Sequence, residues 1–235
     1  ERAASYVSAL LPAPIDDGPV RAEWVYEPSA RLGGDAFSYG FVDERTFVVH
    51  LLDVSGHGVG AAMHAVSILN VLRQRALPGA DFRDPGAVVG GLNTMFQMER
   101  HDEQCFSCWC ASYDVVDRTL THACAGHHPA FLVGADGAAR PLKAPGPLAG
   151  VVPDAAYRTE VAAVSPGATL FVFSDGAFEI ASSGGSWRLD DFVALLADRA
   201  ARGRGGCRHL RRRLEEAAGS PALDDDLALL AVTFP

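Results

Sequence analysis

No stretch of this chain approaches the roughly 18 to 20 consecutive apolar residues of a membrane helix, although hydrophobic residues make up 49% of it. The first residues also lack the basic, apolar and small-residue order of a secretory signal. Basic residues are in deficit: 20 Lys and Arg against 29 Asp and Glu leave a net charge of -9. That balance excludes a sequence-independent nucleic-acid binder, which draws its affinity from basic surface. The local exception is Arg202, Arg204, Arg208, Arg211, Arg212 and Arg213, read as a solvated helix and loop because Glu215 and Glu216 follow at once. Five cysteines, an odd number in 235 residues, do not make a disulfide framework, and they point to reduced thiols and a cytoplasmic protein without a membrane segment. There is no internal repeat, no Gly-x-Ser-x-Gly nucleophile elbow and no phosphate loop ending in Gly-Lys-Ser/Thr.

What is present is a chain long enough for one sizeable domain. Residues 1–11 read as the end of a helix, with Tyr6, Val7, Leu10 and Leu11 on neighbouring turns and Pro12 and Pro14 closing it. A helix that starts uncapped at residue 1 is expected to continue an upstream element. Strands are expected at 20–27, 36–42 and 46–54. A helix at 59–76 follows, with Val59, Ala62, Met63, Val66, Leu69 and Leu72 as its apolar stripe. A second helix is expected at 85–99, with Asp84 as cap and Pro85 as first residue. Two strand runs between 105 and 133 flank a turn at Asp114–Arg118, and Asp136-Gly137 marks another hairpin. Further strands at 157–164, 168–174 and 227–234 enclose helices at 189–201 and 206–218. Clustered strands with helices inserted in pairs favour antiparallel sheets covered by helices.

Four acids share one context, each where an apolar strand begins or ends, beside glycine or another acid: Asp35, Asp53, Asp175 and Asp225. Several carboxylates in one cleft stay ionised only when cations offset their repulsion. Oxygen-only ligation selects magnesium or manganese over zinc. Two such ions would activate a water and neutralise a phosphoryl group, the chemistry of phosphate-ester hydrolysis. Taken singly, each Asp-Gly also reads as an ordinary turn.

The ordered set Gly33-Gly34-Asp35, Asp53-Val54-Ser55-Gly56-His57-Gly58 with Ala61-Ala62, Ala125-Gly126-His127-His128-Pro129, Ser174-Asp175-Gly176 with Glu179, and Asp225-Asp226-Leu227-Ala228-Leu229-Leu230 resembles the SpoIIE/RsbU-type branch of the PPM serine/threonine phosphatases. The likeness runs from about Leu10 to Phe234, and Leu10-Leu11-Pro12 resembles the branch's entry to its phosphatase domain. It implies an α+β fold: a four-layer α/β/β/α sandwich of two antiparallel sheets flanked by helices. Residues 1–11 would end a linker or input helix, and 12–235 would be the phosphatase domain. By similarity Asp53 bridges two Mg2+ or Mn2+ ions, the Val54 carbonyl completes one shell, Asp175 and Asp225 hold the other ion, and Asp35 binds directly or through water. Asp226 is the alternative to Asp225. The implied substrate is a phosphorylated STAS-type anti-anti-sigma factor in a bacterial signalling pathway, with pairing of two subunits through the N-terminal helix.

Two departures stand out. The branch commonly has a second acid three positions after the Gly-Gly-Asp aspartate, where this chain has Ser38, and the Asp of its Pro-Gly-Asp turn is replaced by Ala168. The first raises a rival reading, a catalytically weak or silent regulatory module of the same fold that binds a partner protein. The second is expected to be structural, because that turn rests on Gly167. His57 is a candidate general acid or a phosphate-orienting turn residue, His127 is read as fixing a loop, and His50 as a satisfied strand residue. Cys105, Cys108 and Cys110 are read as core thiols, since Cys105 would face away from the other two.

Overall fold

The computed structural model describes residues 7–28, 33–182, 185–198, 201–203, 205–220 and 225–235. Residues 1–6 of the expected N-terminal helix, residues 199–200, Arg204 and Asp224 lie outside the described residues, and residues 7–10 are helical. The chain divides into two compact units, residues 1–12, 31–129 and 142–164 in one and residues 13–30, 130–141 and 165–235 in the other.

The first unit is built on a five-stranded antiparallel sheet of β2 (Asp35–Phe41), β3 (Thr46–Val54), β4 (Phe106–Asp114), β5 (Thr119–Ala125) and β8 (Glu160–Ala163), in that spatial order. The β-branched and apolar run of β3 is buried along nearly its whole length, as an inner strand covered on both faces requires. Two helices pack on this sheet, α1 (Val59–Gln74) on β2 and β3 and α2 (Pro85–Met95) on β4 and β5. Asp84 caps α2 as its sequence demands, accepting from the Gly86 and Ala87 N–H groups at 2.9 and 3.3 Å. The helix stops at Met95, and a short 3-10 turn (Met98–Arg100) occupies the rest of the expected span.

The stripe expected on α1 holds in part: Ala62, Leu69 and Leu72 are buried and Val66 is half-buried, whereas its first-turn members face outward. Val59 and Met63 are 66% and 62% exposed, and the buried arc is Ala61, Ala62, His64, Ala65, Ile68, Leu69 and Leu72. Small Ala61 and Ala65 let the helix lie close to the sheet, which turns the larger Val59 and Met63 outward. At the other end Arg75 takes a left-handed conformation (φ 54°), and its guanidinium donates to the Phe41 and Val42 carbonyls.

The second unit holds a five-stranded sheet of β1 (Arg21–Glu27), β12 (Leu227–Phe234), β9 (Ala168–Phe173), β6 (Ala130–Val133) and β7 (Ala139–Leu142), in that order. The pairs β1–β12, β12–β9 and β6–β9 are antiparallel. Helices α3 (Leu189–Leu196) and α4 (Gly206–Ala218) bury Phe192, Leu196, Leu210 and Leu214 in one core with Phe131, Phe171, Phe173 and Leu229. The Glu23 carboxylate anchors the start of α4 by accepting from the Gly205 and Cys207 N–H groups at 2.7 and 2.9 Å. Three arginines of α4 are tied to carboxylates, Arg211 to Glu27 and Glu215, and Arg212 and Arg213 to Glu216. A two-stranded hairpin that the pattern did not announce, β10 (Ile180–Ser182) and β11 (Gly185–Trp187), precedes α3. Gly167 has φ +77° and donates to the Phe234 carbonyl at 2.7 Å, so glycine keeps the turn where Ala168 follows.

The fold class is therefore α+β, with two antiparallel five-stranded sheets, each carrying its own helices. All five cysteines are free, and Cys108, Cys110, Cys124 and Cys207 are buried. No helix among the described residues is long and apolar enough to cross a membrane.

Candidate metal centre

In the first unit the acids meet by strand register. Asp35 opens β2 directly opposite Asp53 near the end of β3, so both carboxylates stand on one face at the same sheet edge. Asp35 is 2% exposed and Asp53 partly exposed. The glycine before Asp35 has a steric cause: a Cβ on Gly34 would lie 2.4 Å from the Val54 carbonyl oxygen. The Val54 N–H donates to the Gly34 carbonyl at 3.2 Å, which fixes the backbone of the expected carbonyl ligand against the strand bearing Asp35.

The loop after Val54 is held by a reciprocal pair. The Ser55 N–H donates to the Cys105 carbonyl at 2.9 Å, and the Cys105 N–H donates to Ser55 Oγ at 3.1 Å. Gly56 and Gly58 then adopt φ +88° and +93°, conformations that suit glycine and leave His57 exposed between them. Gly58 begins α1 with no side-chain cap.

In the second unit Ser174, at the end of β9, does the positioning. Its N–H donates to the Ala228 carbonyl at 2.9 Å, and its Oγ accepts from the Ala228 N–H at 2.9 Å and donates to the Asp226 carbonyl at 3.2 Å. A Cβ on Gly176 would lie 2.1 Å from the Asp226 oxygen, so only glycine admits the 225–226 backbone this close. Asp175 and Asp225 thereby share one neighbourhood. Burial first, then the charges of Asp225 and Glu179, push the Asp175 carboxyl up to about 6. Asp225 is exposed and accepts from the Asp226 N–H at 2.8 Å, whereas Asp226 is buried. The Trp187 indole donates to the Ala177 carbonyl at 3.2 Å, so the unannounced hairpin braces the turn that carries Asp175.

Ser38 stands apart from these acids. Side chains alternate along a strand, so position 38 faces the opposite side of β2 from Asp35. There the Ser38 hydroxyl pairs with His50 Nδ1 at 3.1 Å, and both residues are buried. Burial, then the Arg75 charge, lower His50 to about 4, which makes it the satisfied neutral strand residue expected. His127 is lowered to about 3, by burial and then by His128, and its Nδ1 donates to the His128 carbonyl at 2.8 Å. It is neutral near pH 7 and serves the loop.

Sequence reasoning missed the clamp formed by Ser174. Its signal was the β-strand ending Ser-Asp-Gly opposite an acid run, where a hydroxyl is the shortest side chain able to bond two backbones. Among the described residues no three His, Cys, Asp or Glu side chains are grouped to hold a cation; the acids come as the pairs Asp35 with Asp53 and Asp175 with Asp225. The donors they offer are all oxygen, a set that suits hard divalent ions.

Residues 43–235 match the family model for stage II sporulation protein E, SpoIIE. The phosphoserine phosphatase RsbP of Bacillus subtilis is 24% identical over 183 residues, 74% of this chain and 43% of that protein. The chain thus spans less than half the length of this relative. Among solved structures, the PP2C domain of SiaA from Pseudomonas aeruginosa superposes with a TM-score of 0.82 at 22% identity, covering 100% of this chain and 95% of that one. RsbX, solved in complex with magnesium, gives a TM-score of 0.71 at 14% identity, covering 95% and 99%.

Proposed function

This chain belongs to the SpoIIE family, the RsbU-type branch of the PPM phosphatases, and from that premise we propose that it hydrolyses phosphoserine or phosphothreonine on a protein. The observation that carries this reading is the register pairing of Asp35 with Asp53, with Gly34 pressed against the Val54 carbonyl. It gives a steric reason for the glycine before Asp35 and for the pairing of two motifs on consecutive strands.

Asp35, Asp53, the Val54 carbonyl, Asp175 and Asp225 are the proposed ligands of two Mg2+ or Mn2+ ions. When bound, such ions neutralise charge on the phosphoryl group and activate water. The chain's own contribution is to hold the donors in place: through register on β2 and β3, and through the Ser174 bonds to the 226–228 backbone. His57, exposed in the loop that follows Val54, is the group proposed to orient the phosphate or protonate the leaving side-chain oxygen. The substrate is a phosphorylated STAS-type anti-anti-sigma factor in a bacterial cytoplasm, and two chains pair through the N-terminal helix. A silent module is the weaker reading, because Ser38 points away from Asp35 and bonds to His50.

The test is phosphate release from a phosphorylated STAS-domain protein, and from an aryl phosphate, with manganese and with a chelator. Metal-stimulated turnover that disappears in Asp53→Ala and in Asp175→Ala, both folded by circular dichroism, is the expected result. Turnover in either variant equal to that of the parent would remove the site assignment.

A further inference from the structure

His64 and His101 are used by nothing described so far. His64 lies on the buried arc of α1 and is 6% exposed. Its ring stands edge-on to Phe96 and Phe106, with centroids 5.4 and 6.0 Å away, and the His101 ring lies at 5.0 Å with an interplanar angle of 60°. His64 Nε2 is buried without a hydrogen-bond partner. An unsatisfied buried polar atom is destabilising, and in a folded protein it calls for an ordered water or an ion.

We infer that His64 and His101 form a second metal site, taking a single imidazole-preferring dication such as Zn2+. His101 Nδ1 lies 3.0 Å from the Gln97 carbonyl. A carbonyl only accepts, so the proton sits on Nδ1 and the Nε2 lone pair is left for a ligand, the arrangement metal-binding histidines use. Two imidazoles at about 2.0–2.1 Å from one tetrahedral ion have ring centroids about 5 Å apart, which is the separation seen. Imidazole donors prefer zinc, copper or nickel to magnesium, so this site is chemically distinct from the oxygen-lined acids. Water completes the coordination, since the chain supplies two donors. Burial, then the neighbouring His101, lower the His64 pKa and keep the ring in the neutral form a ligand needs.

The site also has a place in the unit. The segment that carries His101 runs directly into Cys105, whose backbone clasps Ser55 beside Val54. An ion on His64 and His101 would tie α1 to the segment that braces this strand end.

Calorimetric titration of the chain with zinc chloride, in saturating magnesium to fill the acid ligands, tests the inference. One equivalent of Zn2+ is expected to bind, weakened at least about tenfold by His101→Gln and unchanged by Cys105→Ser. Proton NMR of the unmodified chain avoids any folding defect: the first equivalent should shift the imidazole resonances of His64 and His101. Equal Zn2+ affinity in His101→Gln, or a first equivalent that leaves both resonances in place, would overturn the site.

Discussion

At the scale of single residues, the two glycines that precede or follow a candidate ligand are dictated by backbone contacts rather than by flexibility. Gly176→Ala forces a methyl to within 2.1 Å of the Asp226 oxygen; a loss of about 1–3 kcal/mol is expected, read from the urea midpoint, together with loss of phosphate release. Ser38→Ala should behave in the opposite way. It removes one buried hydrogen bond to His50, costing about 1 kcal/mol, and leaves metal-stimulated turnover unchanged because the side chain faces away from Asp35. A collapse of activity in Ser38→Ala would mean that position 38 acts on the metal ligands after all. His50 sets a pH dependence. Its folded pKa of about 4 lies below the ordinary 6.5, so in that interval the unfolded chain takes a proton that the native state refuses. Its contribution is full above 6.5 and is lost as pH falls towards 4. In the metal-free chain Asp175 works in the other sense: raised to about 6 from 3.8, it is protonated first in the native state and adds stability as pH falls through that window. The two are separated by comparison with His50→Gln, in which the stability drop between pH 7 and pH 4.5 should shrink by about 2 kcal/mol. An identical drop in parent and variant would contradict the assignment.

At the scale of elements, local chemistry explains where helices start better than it explains which face they bury. Asp84 and Pro85 mark the first turn of α2, and Asp84 also accepts from the Thr159 hydroxyl at 3.1 Å. Asp84→Ala is expected to cost about 1 kcal/mol, with the urea midpoint as the measure. The first turn of α1 has no such side-chain cap, and its apolar residues alone did not tell which arc would be buried. Val59 and Met63 fit a 3.6-residue period as well as Ala61, Ala65 and Ile68 do. The choice is made by the sheet beneath, where the close approach of β2 and β3 favours small side chains. The hairpin of β10 and β11 was invisible for a related reason: three-residue strands are too short to establish a period. Glu23 shows the same limit from the other side, since a glutamate on β1 does not announce that it will anchor a helix beginning at residue 206.

At the scale of the whole molecule, the proposed ligands come from segments centred on residues 35, 53, 175 and 225, so ion binding should stabilise the native chain against unfolding by mass action. Manganese at about 100 times its dissociation constant is worth about 2.7 kcal/mol, a rise in the thermal midpoint that a chelator reverses. If all these acids serve one pair of ions, Asp53→Ala and Asp175→Ala should each erase the rise. A variant that keeps the full shift would show that its aspartate is not a ligand.

The strand ends, the acids on them, the glycines beside them and the family likeness were all legible in the order of residues, because each depends on contacts within a few positions or on a motif preserved as a string. The β3 and β12 segments run over the expected spans, 46–54 and 227–234. What only the tertiary structure decided is which residues meet across the chain: Asp35 opposite Asp53, Ser174 bonded to the 226–228 backbone, Ser38 turned towards His50, and the His64 ring set edge-on to His101. Register and helix phase follow from packing against partners far away in sequence, and a local pattern carries the period of an element without the angle at which it docks.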